Sequence, residues 1–94
     1  MSDPILETLR REIDRVDREL IACIARRLTL SAEIGARKQA TSESVYQPQR
    51  AAAVQENYVR LGTALGLRGE FMQDVFRAIH AESCKIQRDR LNRL

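Results

Sequence analysis

Three cations stand in this sequence where the surrounding periodicity demands apolar side chains. Leu9, Ile13, Val16, Leu20 and Ile24 recur in helical steps of three and four. The same steps continue through Arg27, Ser31, Ile34 and Lys38. Arg50 opens a second run, followed by Val54, Tyr58, Leu61 and Leu65. Ser83 and Gln87 fall on a third, among Met72, Phe76, Ile79 and Ile86, with Phe71 and Val75 alongside. None of these runs carries an acid to pair with the cations.

Taken singly, each residue has an ordinary explanation. Lysine and arginine can bury their stems and send the charge to water, and Lys38 lies near a helix end where this is easy. Arg27 lies in mid-helix, where a structural ion pair could satisfy it. Ser83 and Gln87 could be hydrogen-bonded core or interface residues. Arg50, near a helix start, is on the unfavourable side of the macrodipole. Together they point to a pocket built for an anion, because an unpaired buried charge is costly. Arg27 and Lys38 are 11 residues apart. They share a helix face about 16 Å apart along the axis, so the ligand between them is small, on the scale of one substituted ring.

The remaining inventory narrows the chemistry. The runs contain no Asp, Glu or His–Ser pair for nucleophilic catalysis, and the sequence has no glycine-rich phosphate loop. Cys23 and Cys84 are two lone cysteines, and His80 is the one histidine, too few ligands for a metal site. Both thiols are expected buried or half-buried and free. His80 is expected at the edge of its helix's apolar face, without a catalytic role. What remains is electrostatics and positioning, which suffice for a reaction whose transition state separates charge without proton transfer.

The elements that must carry these residues are helices. Asp3 is a plausible N-cap with Pro4 at the first helical position, which starts a helix running to about Gln39. "QATSES" ends it. A second helix runs from Pro48 to about Leu65, with Gly66 as the residue that ends it. A third runs from Gly69 or Glu70 to about Leu91. No segment alternates as a strand would. The expected fold is all-α, a single domain over residues 1–94 with a long first helix. That helix would be roughly 50 Å long. A compact chain of this size is only about 30 Å across. The overshoot predicts a homodimer in which two long helices pack together.

Composition fits a small globular protein. Of the 94 residues 44% are hydrophobic, and 16 basic against 13 acidic residues give a net charge of +3. A chain this short buries a thin core and gains from a partner. The charge is mixed along the chain and favours an anionic ligand only weakly. The opening residues lack the apolar run of a signal peptide, and no stretch is long enough to span a membrane. The expected location is therefore the cytoplasm. The basic end "KIQRDRLNRL" raises a reading as a helical dimer that binds nucleic acid or protein. Its acids and amides break up the charge, so no nucleic-acid partner is expected.

Three segments carry a family resemblance: "LRREIDRVDRELIACIARRLTLSAEIGARKQ", "VYQPQR" and "FMQDVFRAIHAESCKIQ". Together they resemble the all-α class of chorismate mutases, over Leu6 to about Gln87. The resemblance implies an intertwined homodimer of three-helix protomers that needs no cofactor. It also implies rearrangement of the dicarboxylate chorismate to prephenate, in aromatic amino acid biosynthesis. Carried over by motif, Arg10 would reach into the other protomer's site and bind one carboxylate, and Arg27 would bind the other. Lys38 would contact the ether oxygen and ring hydroxyl, and Gln87 would donate to the ether oxygen. Arg50 would line the carboxylate end, and Ser83 would help hold a carboxylate. Gln47 stands where many relatives carry Asp, and Ala51 where many carry an acid that accepts from the ring hydroxyl. The related isochorismate-pyruvate lyases of salicylate formation tend to be apolar at the Ala51 position, so lyase activity is the alternative.

Overall fold

The computed structural model describes residues 3–91. They form three helices: α1 (Pro4–Thr41), α2 (Pro48–Ala64) and α3 (Gly69–Leu91). The described residues are thus all-α, with the expected order and boundaries within two residues. Asp3 caps α1, its side chain accepting from the Ile5 amide, and Pro4 occupies the first turn. Ser42 closes that helix in the left-handed conformation (φ 60°). The Ser42 and Glu43 amides then donate to the Gln39 and Lys38 carbonyls. This cap turns residues 42–47 back over the end of α1. Gly66, at φ 84°, ends α2 in the same manner, with the Leu67 amide donating to the Gly62 carbonyl.

Helix α3 is the shared partner, packing against both α1 and α2. Two glycines permit the close approaches. A Cβ on Gly62 would lie 2.4 Å from Met72 Cγ, and one on Gly35 would lie 2.9 Å from Gln87 Cγ and 3.2 Å from its Cα. The α1–α3 contact uses only the C-terminal half of α1. Residues 8–23 are exposed throughout.

The chain is accordingly elongated, 60 × 28 × 14 Å, with a radius of gyration of 17.3 Å. A compact chain of this length has about 12 Å. The stripe Leu9, Ile13, Val16 and Leu20 is more than half exposed. Cys23, on the same free segment, is also exposed, against the expectation of a buried or half-buried thiol; Cys84 is buried. The described residues bury only Phe76 and Cys84 among hydrophobic side chains. Among them no helix is long and apolar enough to cross a membrane.

Candidate active site

The buried polar residues mark the site. Ser31, Ser83 and Gln87 are each at most 7% exposed, and all three lie where α1 meets α3. They line a cavity of about 300 Å³. Arg27, Ser31, Ile34 and Lys38 form its α1 wall, and Phe76, His80, Ser83, Cys84 and Gln87 its α3 wall. Each set follows helical steps of three and four, so each presents one face. Val45, Gln47, Arg50, Ala51 and Val54, from the turn and the start of α2, close the third side.

A hydrogen-bond chain fixes the cations. Arg27 Nη1 donates to Ser83 Oγ at 3.1 Å. Ser31 Oγ donates to the Arg27 carbonyl at 3.2 Å and lies 2.9 Å from Ser83 Oγ. Each hydroxyl has one proton, so with that of Ser31 committed, Ser83 donates to Ser31 and accepts from Arg27. Ser83 therefore orients the guanidinium.

At the other end, Lys38 Nζ donates to the Val45 carbonyl at 2.8 Å and to Gln87 Oε1 at 3.1 Å. An ammonium group has three protons, so one remains for a ligand. The contact also settles the Gln87 amide. A lysine can only donate, so the carbonyl faces Lys38 and Nε2 is left as a donor. Nε2 makes no hydrogen bond among the described residues, and no buried polar side-chain atom is left without a partner.

Electrostatically the cavity is one-sided. No Asp or Glu lines it. The ion pairs among the described residues are Arg10–Glu7 and Arg77–Asp74, both on exposed surface. Arg27, Lys38 and Arg50 have no carboxylate partner there. Helix α2 adds to the field, because its first turn holds no acid and no side chain caps it. Its positive dipole end therefore stays uncompensated beside the cavity. His80 feels the result. Burial, then the positive charges of Arg27, Lys38 and Arg88, hold its pKa below the ordinary 6.5. Among the described residues no cluster of His, Cys, Asp and Glu could hold a metal ion.

Arg27, Lys38, Gln47, Arg50, Ser83 and Gln87, all singled out from sequence, thus line one cavity. Arg50 is exposed and reaches the rim rather than the interior. Gln47 is the N-cap residue of α2, but its side chain makes no capping bond; its Nε2 donates to Glu43 Oε2 at 3.1 Å. That carboxylate can only accept, so the free polar atom of Gln47 is its carbonyl oxygen. Arg10 lies outside the cavity, exposed on the free half of α1 and paired with Glu7 at 3.3 Å. Sequence reasoning missed His80 as a lining residue, Ser31 as a partner of Ser83, and Gly35 as the gap that admits Gln87. Ser31 already stood on the α1 stripe, but its type gave no sign of a partner on α3.

The chain as a whole is similar to known proteins. The chain is 34% identical over 85 residues to the T-protein of Enterobacter agglomerans, covering 90% of this chain and 23% of that protein. It is 29% identical over 86 residues to the 4-amino-4-deoxychorismate mutase of Streptomyces pristinaespiralis, covering 92% of this chain and 66% of that protein. Identity reaches 39% over 59 residues with the intracellular chorismate mutase of Mycobacterium tuberculosis, covering 63% of this chain and 56% of that protein. The chain spans less than a quarter of the T-proteins it matches. The profile of the family chorismate mutase type II matches residues 9–88, which include every residue of the cavity wall, and the chain belongs to that family.

Proposed function

We propose that the protein is a chorismate mutase, rearranging chorismate to prephenate. The observation that carries this reading is the cavity itself. Three cations without carboxylate partners line a space of about 300 Å³, and two of them are held in place by hydrogen bonds. A dicarboxylate supplies the missing charge. The arginines would hold its two carboxylates in bidentate pairs, and so hold the enolpyruvyl chain folded over the ring.

The reaction is a concerted [3,3] shift in which a C–O bond breaks as a C–C bond forms. Negative charge grows on the ether oxygen as its bond stretches. The third proton of Lys38 and the Nε2 protons of Gln87 are the donors left to meet it. Donors aimed at developing charge stabilise the transition state more than the ground state. No proton is transferred, which suits a cavity without carboxylates. Gln47 Oε1 is the acceptor offered to the ring hydroxyl, in place of an acid at Ala51.

The unit that acts is a homodimer in the cytoplasm. Support comes from the exposed stripe of α1, whose side chains would each gain on the order of 1 kcal/mol when covered. Pairing along that stripe would bring Arg10 to the partner's cavity. The test is turnover of chorismate with prephenate as product, alongside isochorismate with salicylate as product. Prephenate formation supports the proposal. Salicylate from isochorismate without prephenate from chorismate would overturn it, and sedimentation as a monomer at micromolar concentration would overturn the dimer.

A further inference from the structure

His80 is the chain's one histidine, and it lines the cavity. Its ring stacks on Phe76, with centroids 5.2 Å apart and planes 16° apart. Tyr46, from the turn before α2, tilts against it at 5.9 Å. Nε2 lies 3.6 Å from Cys84 Sγ, and Nδ1 makes no hydrogen bond among the described residues. The imidazole is thus fixed in place with a ring nitrogen to spare. The charged groups around it are all positive: Arg27 and Lys38 from α1 and Arg88 from α3. Arg50 from α2 lines the same cavity. Cys84 and Tyr46 are its other titratable neighbours.

A bound dicarboxylate reverses this balance. Burial, the larger cause, remains, but two negative charges brought into the cavity, one of them against Arg27, offset the Coulombic part of what keeps His80 neutral. We propose that His80 is a further substrate-binding residue of this pocket, one that takes up a proton from solvent as a dicarboxylate enters. The inference rests on reading the cavity as a dicarboxylate site. In the free protein the neutral ring spares the pocket a fourth cation. In the complex the protonated ring adds one.

Linkage fixes the sign. If the ligand raises the proton affinity of His80, protons raise the ligand affinity by the same factor. Affinity is independent of pH above both the free and the bound titration midpoints. It rises as pH falls between them and levels off below. The free midpoint lies under 6.5, so the rise begins near the bound midpoint and is complete only below 6.5. The ligand's own carboxylates ionise about two to three pH units lower and stay charged throughout. A gap of one unit between the midpoints is a tenfold change in affinity.

The probe is a non-reactive oxabicyclic dicarboxylate shaped like the cyclic transition state. Its binding is followed by calorimetry from pH 7.5 to 5.5 in two buffers of different ionisation enthalpy. Binding should tighten about three- to tenfold over that range, with proton uptake averaging about a quarter to a half per site. The single imidazole resonance in NMR should titrate below 6.5 in the free protein and at higher pH in the complex. His80→Phe keeps a ring on Phe76 and His80→Asn keeps a polar side chain; both should bind the diacid without proton uptake. An unmoved resonance midpoint, or uptake that persists in both variants, would overturn the inference and leave the dicarboxylate reading standing. Failure of the diacid to bind at any pH would overturn both.

Discussion

Gly35→Ala tests whether the α1–α3 spacing sets the chemistry. The added Cβ would stand 2.9 Å from Gln87 Cγ and 3.2 Å from both its Cα and Cβ. Carbon pairs settle at about 3.5–4.0 Å, so the shortfall is at least ~0.6 Å at Cγ and ~0.3 Å at Cα. Cγ could rotate away, but Cα belongs to the backbone of α3. The helices must therefore part, or Gln87 must leave its rotamer. Either change strains the 3.1 Å bond between Lys38 Nζ and Gln87 Oε1, which aims Nε2 into the cavity. Overpacking costs about 1–3 kcal/mol. Replacing a helical glycine returns about 1 kcal/mol. The fold should thus lose at most about 2 kcal/mol. Activity should fall further, by roughly tenfold to a hundredfold in kcat/KM, since a displacement near 1 Å is worth about a hundredfold. Steady-state prephenate formation and urea denaturation together decide the matter. Wild-type kcat/KM in a folded Gly35→Ala protein would refute the claim that this contact positions the donor.

Three further outcomes are expected. Arg27→Ala and Lys38→Ala should each lower kcat/KM by on the order of 10²–10³-fold, Lys38 as a lost transition-state donor and Arg27 as a lost clamp on a carboxylate. Sedimentation and circular dichroism should show the assembly intact, and wild-type turnover in either variant would contradict its role. Ala51→Glu adds a carboxylate that can accept from a ring hydroxyl and should raise kcat/KM several-fold, by about 1 kcal/mol of added hydrogen bonding; an unchanged or lower value would show that Gln47 already suffices. If Arg10 serves the partner's site, mixing inactive Arg10→Ala and Lys38→Ala dimers and allowing exchange should restore activity. Each mixed dimer has one intact site, so random exchange of equal amounts gives about a quarter of wild-type activity; no recovery after subunit exchange would place Arg10 elsewhere.

How much of this was legible depended on the kind of signal. The helices were, because Asp3–Pro4, Pro48 and Gly66 are local instructions that α1 and α2 obey, and α3 follows the helical period of its apolar residues. The cavity cations were also legible, because Arg27, Lys38 and Arg50 break a periodic pattern. Ser83 and Gln87 break one too. His80 broke no rule that sequence could expose. A histidine at the margin of an apolar stripe reads as packing, and only the fold shows Arg27 and Lys38 beside it. Gly35 was silent for the opposite reason. A helical glycine costs about 1 kcal/mol wherever it sits, and its use appears only when Gln87 arrives from 52 residues away. The pairing of Gln47 with Glu43 lies within one turn of chain, yet it depends on how the α1 cap folds residues 42–47 back.

The interior of this fold and its site are largely the same set of residues. Ser31, Ser83, Gln87, Phe76 and Cys84 are buried side chains, and all five line the cavity. A protomer built this way has little apolar core to hold α1 against α3. The contact instead depends on hydrogen bonds between Arg27, Ser31 and Ser83 at one end and Lys38 and Gln87 at the other. Such bonds are directional. They hold donors in place, but each adds only about 1 kcal/mol net. Repulsion among the cations works against them. Two contributions can make up the difference: a surface that covers the exposed stripe of α1, and an anion that fills the cavity. The first stabilises the fold at all times and the second only when ligand is present, by mass action. Replacing the cations with leucine would strengthen the helix contact and remove the reason for it, because the charge that weakens the empty protein is the charge that binds the dicarboxylate.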